Sequence, residues 1–153
     1  YILTISLIFL FACGYQPILD KKNYQFSIVI DNESGDENIN SLIINRFQSQ
    51  KGKKKEYNLT LISSKKKKIV SKDTKGDPSI FELLIKVEYM VNDKDEILIQ
   101  KNITKKTTYN NISDKFELEK YEETIIKNLS TTIASDIISS ISEINEWSLS
   151  LMK

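Results

Sequence analysis

Hydrophobic positions along the chain switch between two periods, and the switches mark its elements. Tyr24, Phe26, Ile28 and Ile30 fall two apart, with Gln25 and Ser27 between them, which is the period of a half-buried strand. Asp31-Asn32-Glu33-Ser34-Gly35 supplies turn residues, so this strand is expected to end at 30. Ile39, Leu42, Ile43 and Phe47 then recur at helical spacing, with Asn38, Asn40, Arg46 and Gln50 opposite, predicting a helix over 36–50 with one buried face. Ser34 or Asp36 can cap it, and Glu37 stands three after Ser34 in capping-box register.

Alternation returns at Tyr57, Leu59 and Leu61, a second strand that leads into Lys65-Lys66-Lys67-Lys68, a short Ile69-Val70 step and a turn over 73–78. Phe81, Leu83, Ile85, Val87, Tyr89 and Val91 give the clearest strand, with Glu82, Lys86 and Glu88 on its other side and Leu84 and Met90 making that side only partly polar. The Asn92-Asp93-Lys94-Asp95 reversal makes the next strand, over 96–109, its antiparallel partner. From Ser113 or Asp114 a stripe of Leu118, Tyr121, Ile125, Leu129, Ile133, Ile137, Ile141 and Ile144 predicts one long helix over 114–145. At 1.5 Å per residue that helix is ~48 Å long, more than a small sheet needs, so a bend or projecting ends are expected. Residues 147–153 read as a loose tail with amphipathic potential.

The order is β-α-β-β-β-α. Strands with one-sided alternation need a cover, and two amphipathic helices supply it. The expected fold is α+β: a two-layer sandwich, with a four-stranded, mainly antiparallel sheet covered on one face by two helices. The domain is expected over 24–146, with no repeat or linker dividing it.

Ahead of this domain, 2–11 is an apolar run broken only by Thr4 and Ser6, followed by Ala12 and the chain's single cysteine, Cys13. Ten residues of helix span roughly 15 Å, half of a bilayer core, which suits the apolar region of a secretory signal rather than a transmembrane helix. Leu10-Phe11-Ala12-Cys13 resembles a bacterial lipobox, in which the cysteine is acylated and becomes the mature N-terminus. Residues 1–12 are then expected as a signal peptide whose start lies upstream, since no Met and no Lys or Arg precedes the apolar run. Residues 13–23 follow as a lipidated lead segment, in which Pro17 forbids a helix. Gly14 rather than Asp after the cysteine implies sorting to the outer membrane.

Composition then narrows the chemistry. The 153 residues contain no His and one Cys. The commonest general base and zinc ligand are therefore missing, and acylation of Cys13 leaves no thiol for a disulfide or thiolate site. With no Gly-x-Ser-x-Gly elbow and no Gly-rich phosphate loop, the chain is not expected to be an enzyme or to carry a cofactor or metal. Four Asn-x-Ser/Thr sequons, at Asn58, Asn102, Asn111 and Asn128, reflect the Asn-rich bias of an AT-rich genome. The formal net charge is only +1, yet 51–72 carries a net +8 and 113–146 a net −5, so the molecule is expected to be polar in charge.

Together Cys13-Gly14-Tyr15-Gln16-Pro17-Ile18-Leu19, the Tyr24 strand, the Ile39/Leu42/Phe47 helix, the Lys75-Gly76 turn before strand 81–91, and Tyr109 ahead of an acidic helix carry a resemblance. The chain resembles the lipopolysaccharide-assembly lipoprotein family (LptE-like), and its Cys-Gly-aromatic-x-Pro opening is similar to the alphaproteobacterial type. The resemblance implies a lipid-anchored protein on the periplasmic side of the outer membrane. Its partners would be the lipopolysaccharide-assembly β-barrel, which it plugs and helps to assemble, and lipopolysaccharide itself. No step would be catalytic, and no nucleic acid would be met. Lys53, Lys54, Lys55, Lys65, Lys66, Lys67 and Lys68 are the candidates for holding lipopolysaccharide phosphates as point charges, or else are solvated turn lysines. The rival reading is an outer-membrane lipoprotein with another non-catalytic role: barrel-assembly accessory, lipid-binding module or scaffold.

Overall fold

The structure, a computed structural model, describes residues 26–48 and 55–150. The signal and lead segments, Cys13, Lys53 and Lys54 lie outside them.

Six elements follow the expected order: β1 (Phe26–Gly35), α1 (Glu37–Gln48), β2 (Lys55–Lys72), β3 (Pro78–Asp93), β4 (Glu96–Asn110) and α2 (Lys115–Ser150). The sheet is ordered β1-β2-β3-β4, with β2–β3 and β3–β4 antiparallel. Only β1–β2 is parallel, as a helical crossover between neighbouring strands requires. Both helices pack on one face, giving the expected two-layer α+β sandwich.

The core follows most of the expected set, except that Tyr121, expected on the buried stripe of the last helix, is exposed. Tyr57, Leu59 and Leu61 of β2 and Leu83, Ile85, Val87 and Val91 of β3 meet Ile39 and Ile43 of α1 and Ile133, Ile137 and Ile141 of α2, all buried. Within this layer the Tyr57 hydroxyl donates to Asn145 Oδ1 at 3.3 Å.

Two boundaries and the facing of one residue differ from expectation, and the choice of helix cap is settled. β1 continues through the turn-like residues to Gly35: the register shifts between Ile30 and Asn32, and 32–35 then pairs with 60–63. A bulge lets an edge strand carry polar residues toward solvent without losing its partner. Of the two expected caps, Asp36 is the one that serves α1, its Oδ1 accepting from Ile39 N–H at 3.1 Å. Asn40, expected on the solvent side of that helix, is buried, and its Nδ2 donates to the Ser34 carbonyl at 3.0 Å. α2 runs on to Ser150, so Trp147–Ser150 is helical rather than a loose tail.

The largest correction concerns β2, which passes straight through Lys65–Lys68 instead of breaking there. With 18 residues at ~3.3 Å each, β2 is ~59 Å long, and the 36 residues of α2 span ~54 Å. The long helix that looked oversized is thus matched in length to the strand beneath it.

Candidate functional site

Because Lys65–Lys68 lie in a strand, their side chains alternate between the two faces of the sheet. Lys65 and Lys67 share the helix face with Tyr57, Leu59 and Leu61, and each meets an acid there. Lys65 Nζ pairs with Asp36 Oδ2 at 3.3 Å, at the start of α1. Lys67 Nζ pairs with Glu122 Oε1 of α2 and lies 4.2 Å from the centre of the Phe81 ring. The Tyr109 hydroxyl donates to the same Glu122 oxygen at 2.7 Å. Burial of that phenol, and next its bond to the Glu122 carboxylate, push its pKa well above the ordinary range.

Lys66 and Lys68 point to the open face. Lys68 Nζ pairs with Glu82 Oε1 at 2.7 Å, and Lys106 of β4 reaches Glu82 Oε2 at 3.4 Å. The bond from Lys68 holds the Glu82 carboxyl below its ordinary value of 4.5 with help from Lys106, and the two outweigh the opposing effect of burial. Lys66 has no ion-pair or hydrogen-bond partner among the described residues. It lies in one cross-strand row with Leu84 and Lys106. Lys55, at the other end of β2, pairs with Asp93 Oδ2 at 3.0 Å and lies 5.1 Å from the Tyr57 ring centre. The bond to Asp93 is the main cause that raises the Lys55 pKa.

The five described candidate lysines, Lys55 and Lys65–Lys68, therefore do not act as one free cluster. Four of them are engaged by Asp36, Glu82, Asp93 and Glu122, pairings that no sequence pattern announced. The charge picture changes with them. Glu122 and Asp136 of α2 face Lys67 and Lys105, at 2.7 Å for the latter pair, so the basic strand and acidic helix partly neutralise one another instead of forming two poles.

Two other surfaces stand out. On the open face, Thr60, Ile62, Met90, Gln100 and Asn102 line a shallow depression of about 450 Å³ with Glu88 beside it. At the end of the sheet where β2 turns into β3, Ile69, Val70, Phe116 and Tyr121 are exposed large hydrophobics. Tyr121 ends a run of aromatic contacts in which the Phe81, Tyr109 and Tyr121 rings lie 5.7 and 6.0 Å apart in turn. Among the described residues, no cluster of three or more His, Cys, Asp or Glu side chains could hold a metal ion, and no helix is long and apolar enough to cross a membrane.

The fold of this chain, a four-stranded sheet backed by two helices, is similar to those of solved bacterial lipoproteins. The rare lipoprotein B of Shewanella oneidensis matches with a TM-score of 0.61 at 18% identity, over 83% of this chain and 99% of that one. An uncharacterized lipoprotein B of Nitrosomonas europaea matches at 0.60 and 15% identity, over 82% of this chain and 90% of that one. A minor lipoprotein of Acinetobacter baumannii follows at 0.54 and 12% identity, over 76% of this chain and 92% of that one. At these identities the likeness is one of fold. No family model matches the chain, and no curated protein matches it by sequence.

Proposed function

We propose that this chain is a lipoprotein of the LptE-like family, of the alphaproteobacterial type, anchored to the periplasmic side of the outer membrane through acyl chains on Cys13. Its role is to partner the lipopolysaccharide-assembly β-barrel as plug and assembly factor during export of lipopolysaccharide to the cell surface. The reading is carried by one conjunction: a lipobox-like Cys13 opening ahead of a domain whose structural neighbours are bacterial lipoproteins. Its physical form suits the task. A plug must fill a lumen without exposing its core, and here the core lies wholly between the helices and one sheet face. Nothing in the role is catalytic: the protein occupies space, braces its partner and contacts a lipid.

Lipopolysaccharide contact is assigned within the Lys run to Lys66, the member without an internal partner, assisted by Lys106 across Leu84. Two ammonium groups flanking an aliphatic side chain suit a phosphate attached to an acyl-bearing sugar. The exposed apolar end formed by Ile69, Val70, Phe116 and Tyr121 favours a second reading, a lipoprotein that grips another protein there in a different non-catalytic role.

Palmitate labelling of cells, followed by membrane fractionation and depletion of the protein, tests the proposal. Label lost in a Cys13→Ala variant, an outer-membrane location, and reduced surface lipopolysaccharide on depletion are expected. An unlabelled protein, or unchanged surface lipopolysaccharide, contradicts it.

A further inference from the structure

β1 covers only the first half of β2. Its last pair is Gly35 with Ser63, whereas β2 continues to Lys72, and α1 leaves the sheet edge at Glu37. Residues 64–72 are thus bonded to β3 on one side and have no strand on the other among the described residues. The direction of this edge is fixed by one bond: the Ser63 carbonyl accepts from Asp36 N–H at 3.3 Å, so it points toward the β1 side. Backbone groups alternate in direction along a strand, so the N–H and C=O of Lys65, Lys67 and Ile69 point the same way, into the open edge. An open strand edge of this length is a template for another strand.

We propose that this half-edge of β2 receives an extended, acidic segment of a partner protein, which continues the line of β1 as an added strand. Charge chooses this occupant. A second copy pairing edge to edge would set the Lys65–Lys68 run against itself, and like charges facing each other across strands are destabilising. An acidic strand meets the opposite situation. Lys66 stands on the open face with no ion-pair or hydrogen-bond partner among the described residues, flanked by Lys68, which is paired with Glu82, and followed along the strand by Lys72. Lys65 and Lys67 are held back by Asp36 and Glu122, so the outward backbone groups between them are not crowded by mobile ammonium groups. The lysines thus exclude self-association and select the partner. This inference draws on the same Lys66 as the lipopolysaccharide reading but needs no lipopolysaccharide, and it holds whichever protein supplies the strand.

Amide hydrogen exchange on the full chain tests it, with three blocked ten-residue peptides as probes: alternating Glu-Val, alternating Glu-Pro and alternating Lys-Val. The Glu-Pro peptide keeps the charge but cannot pair as a strand, and the Lys-Val peptide keeps the strand propensity with the charge reversed. Exchange at Lys65, Lys67 and Ile69 is expected to slow at least tenfold with Glu-Val alone. Lys66→Glu, an exposed change without a partner to lose, should abolish that slowing and transfer it to Lys-Val. Equal effects of Glu-Val and Glu-Pro, protection elsewhere in the chain, or no slowing at millimolar peptide would each overturn the proposal. So would amides already protected without peptide, whether independently of concentration (a segment of the same chain on the edge) or increasingly with it (a second copy).

Discussion

Replacing Gly35 with Ala imposes two separable costs at the junction of β1 and α1. Gly35 has φ +97°, a conformation that L side chains rarely adopt, and which costs an alanine about 1–2 kcal/mol. Its Cβ would also lie 1.9 Å from the Ser63 carbonyl oxygen, where ordinary contact begins at 3.4 Å. The obstacle is backbone, so the strands must part by about 1.5 Å. That movement strains the contacts between Asp36 and Ser63: N–H to carbonyl at 3.3 Å, N–H to Oγ at 3.2 Å, and Ser63 Oγ–H to the Asp36 carbonyl at 3.1 Å. At about 1 kcal/mol for each bond lost, the total reaches about 3–5 kcal/mol. Gly76 provides the control. It has φ +90°, but nothing lies within 4 Å of its ideal Cβ, so Gly76→Ala should cost only about 1–2 kcal/mol. Urea unfolding followed by circular dichroism measures both. Equal losses in the two variants, or a loss below about 2 kcal/mol for Gly35→Ala, would refute the reasoning, because the steric contribution would then be absent.

Three further substitutions probe other parts of the fold. Ile133→Ala empties a site with no exposure at the centre of α2 and should cost about 2–5 kcal/mol in the same unfolding assay. Ser63→Ala removes the hydroxyl that both donates to and accepts from the Asp36 backbone, and should cost about 1–2 kcal/mol while leaving the strand order unchanged. Glu82→Gln tests the acid limb of the stability curve. The folded pKa of Glu82 is depressed, so its contribution is present above the ordinary value of 4.5 and is lost as pH falls through the lower folded value. Thermal unfolding of the Gln variant should therefore show lower stability at neutral pH and a shallower decline below pH 4.5 than the parent. An unchanged acid slope would count against the Lys68–Glu82–Lys106 arrangement.

The six elements and nearly all of the core were legible because they rest on local periodicity. Phe81 to Val91 alternates over a whole strand, and Ile125 to Ile141 keeps helical spacing over several turns. The Lys run was not legible. Four identical residues carry no alternation, so the facts that Lys65 and Lys67 turn inward and Lys66 outward emerge only from pairing with β3. The acids that engage the run lie elsewhere in the sequence, with Lys67 and Glu122 separated by 55 positions. Asp31–Gly35 misled for a related reason: turn-forming residues can continue an edge strand when a bulge and a long neighbour hold them. Asn40 reads as solvent-facing from its polarity, yet it is buried beside Ile39, its Nδ2 bonded to the Ser34 carbonyl and its Oδ1 without a hydrogen-bond partner among the described residues. One cue did exist for the length of β2, because a helix as long as α2 implies strands of comparable length beneath it.

The claim that this chain serves lipopolysaccharide assembly is tested most directly by its company in the membrane. The lipidated protein should be captured from outer membranes solubilised in mild detergent, and everything that co-purifies should be identified and quantified by mass spectrometry. The account predicts one large outer-membrane β-barrel of the lipopolysaccharide-assembly type in a one-to-one ratio. A protein recovered alone, or with peptidoglycan or a different set of partners, would contradict it.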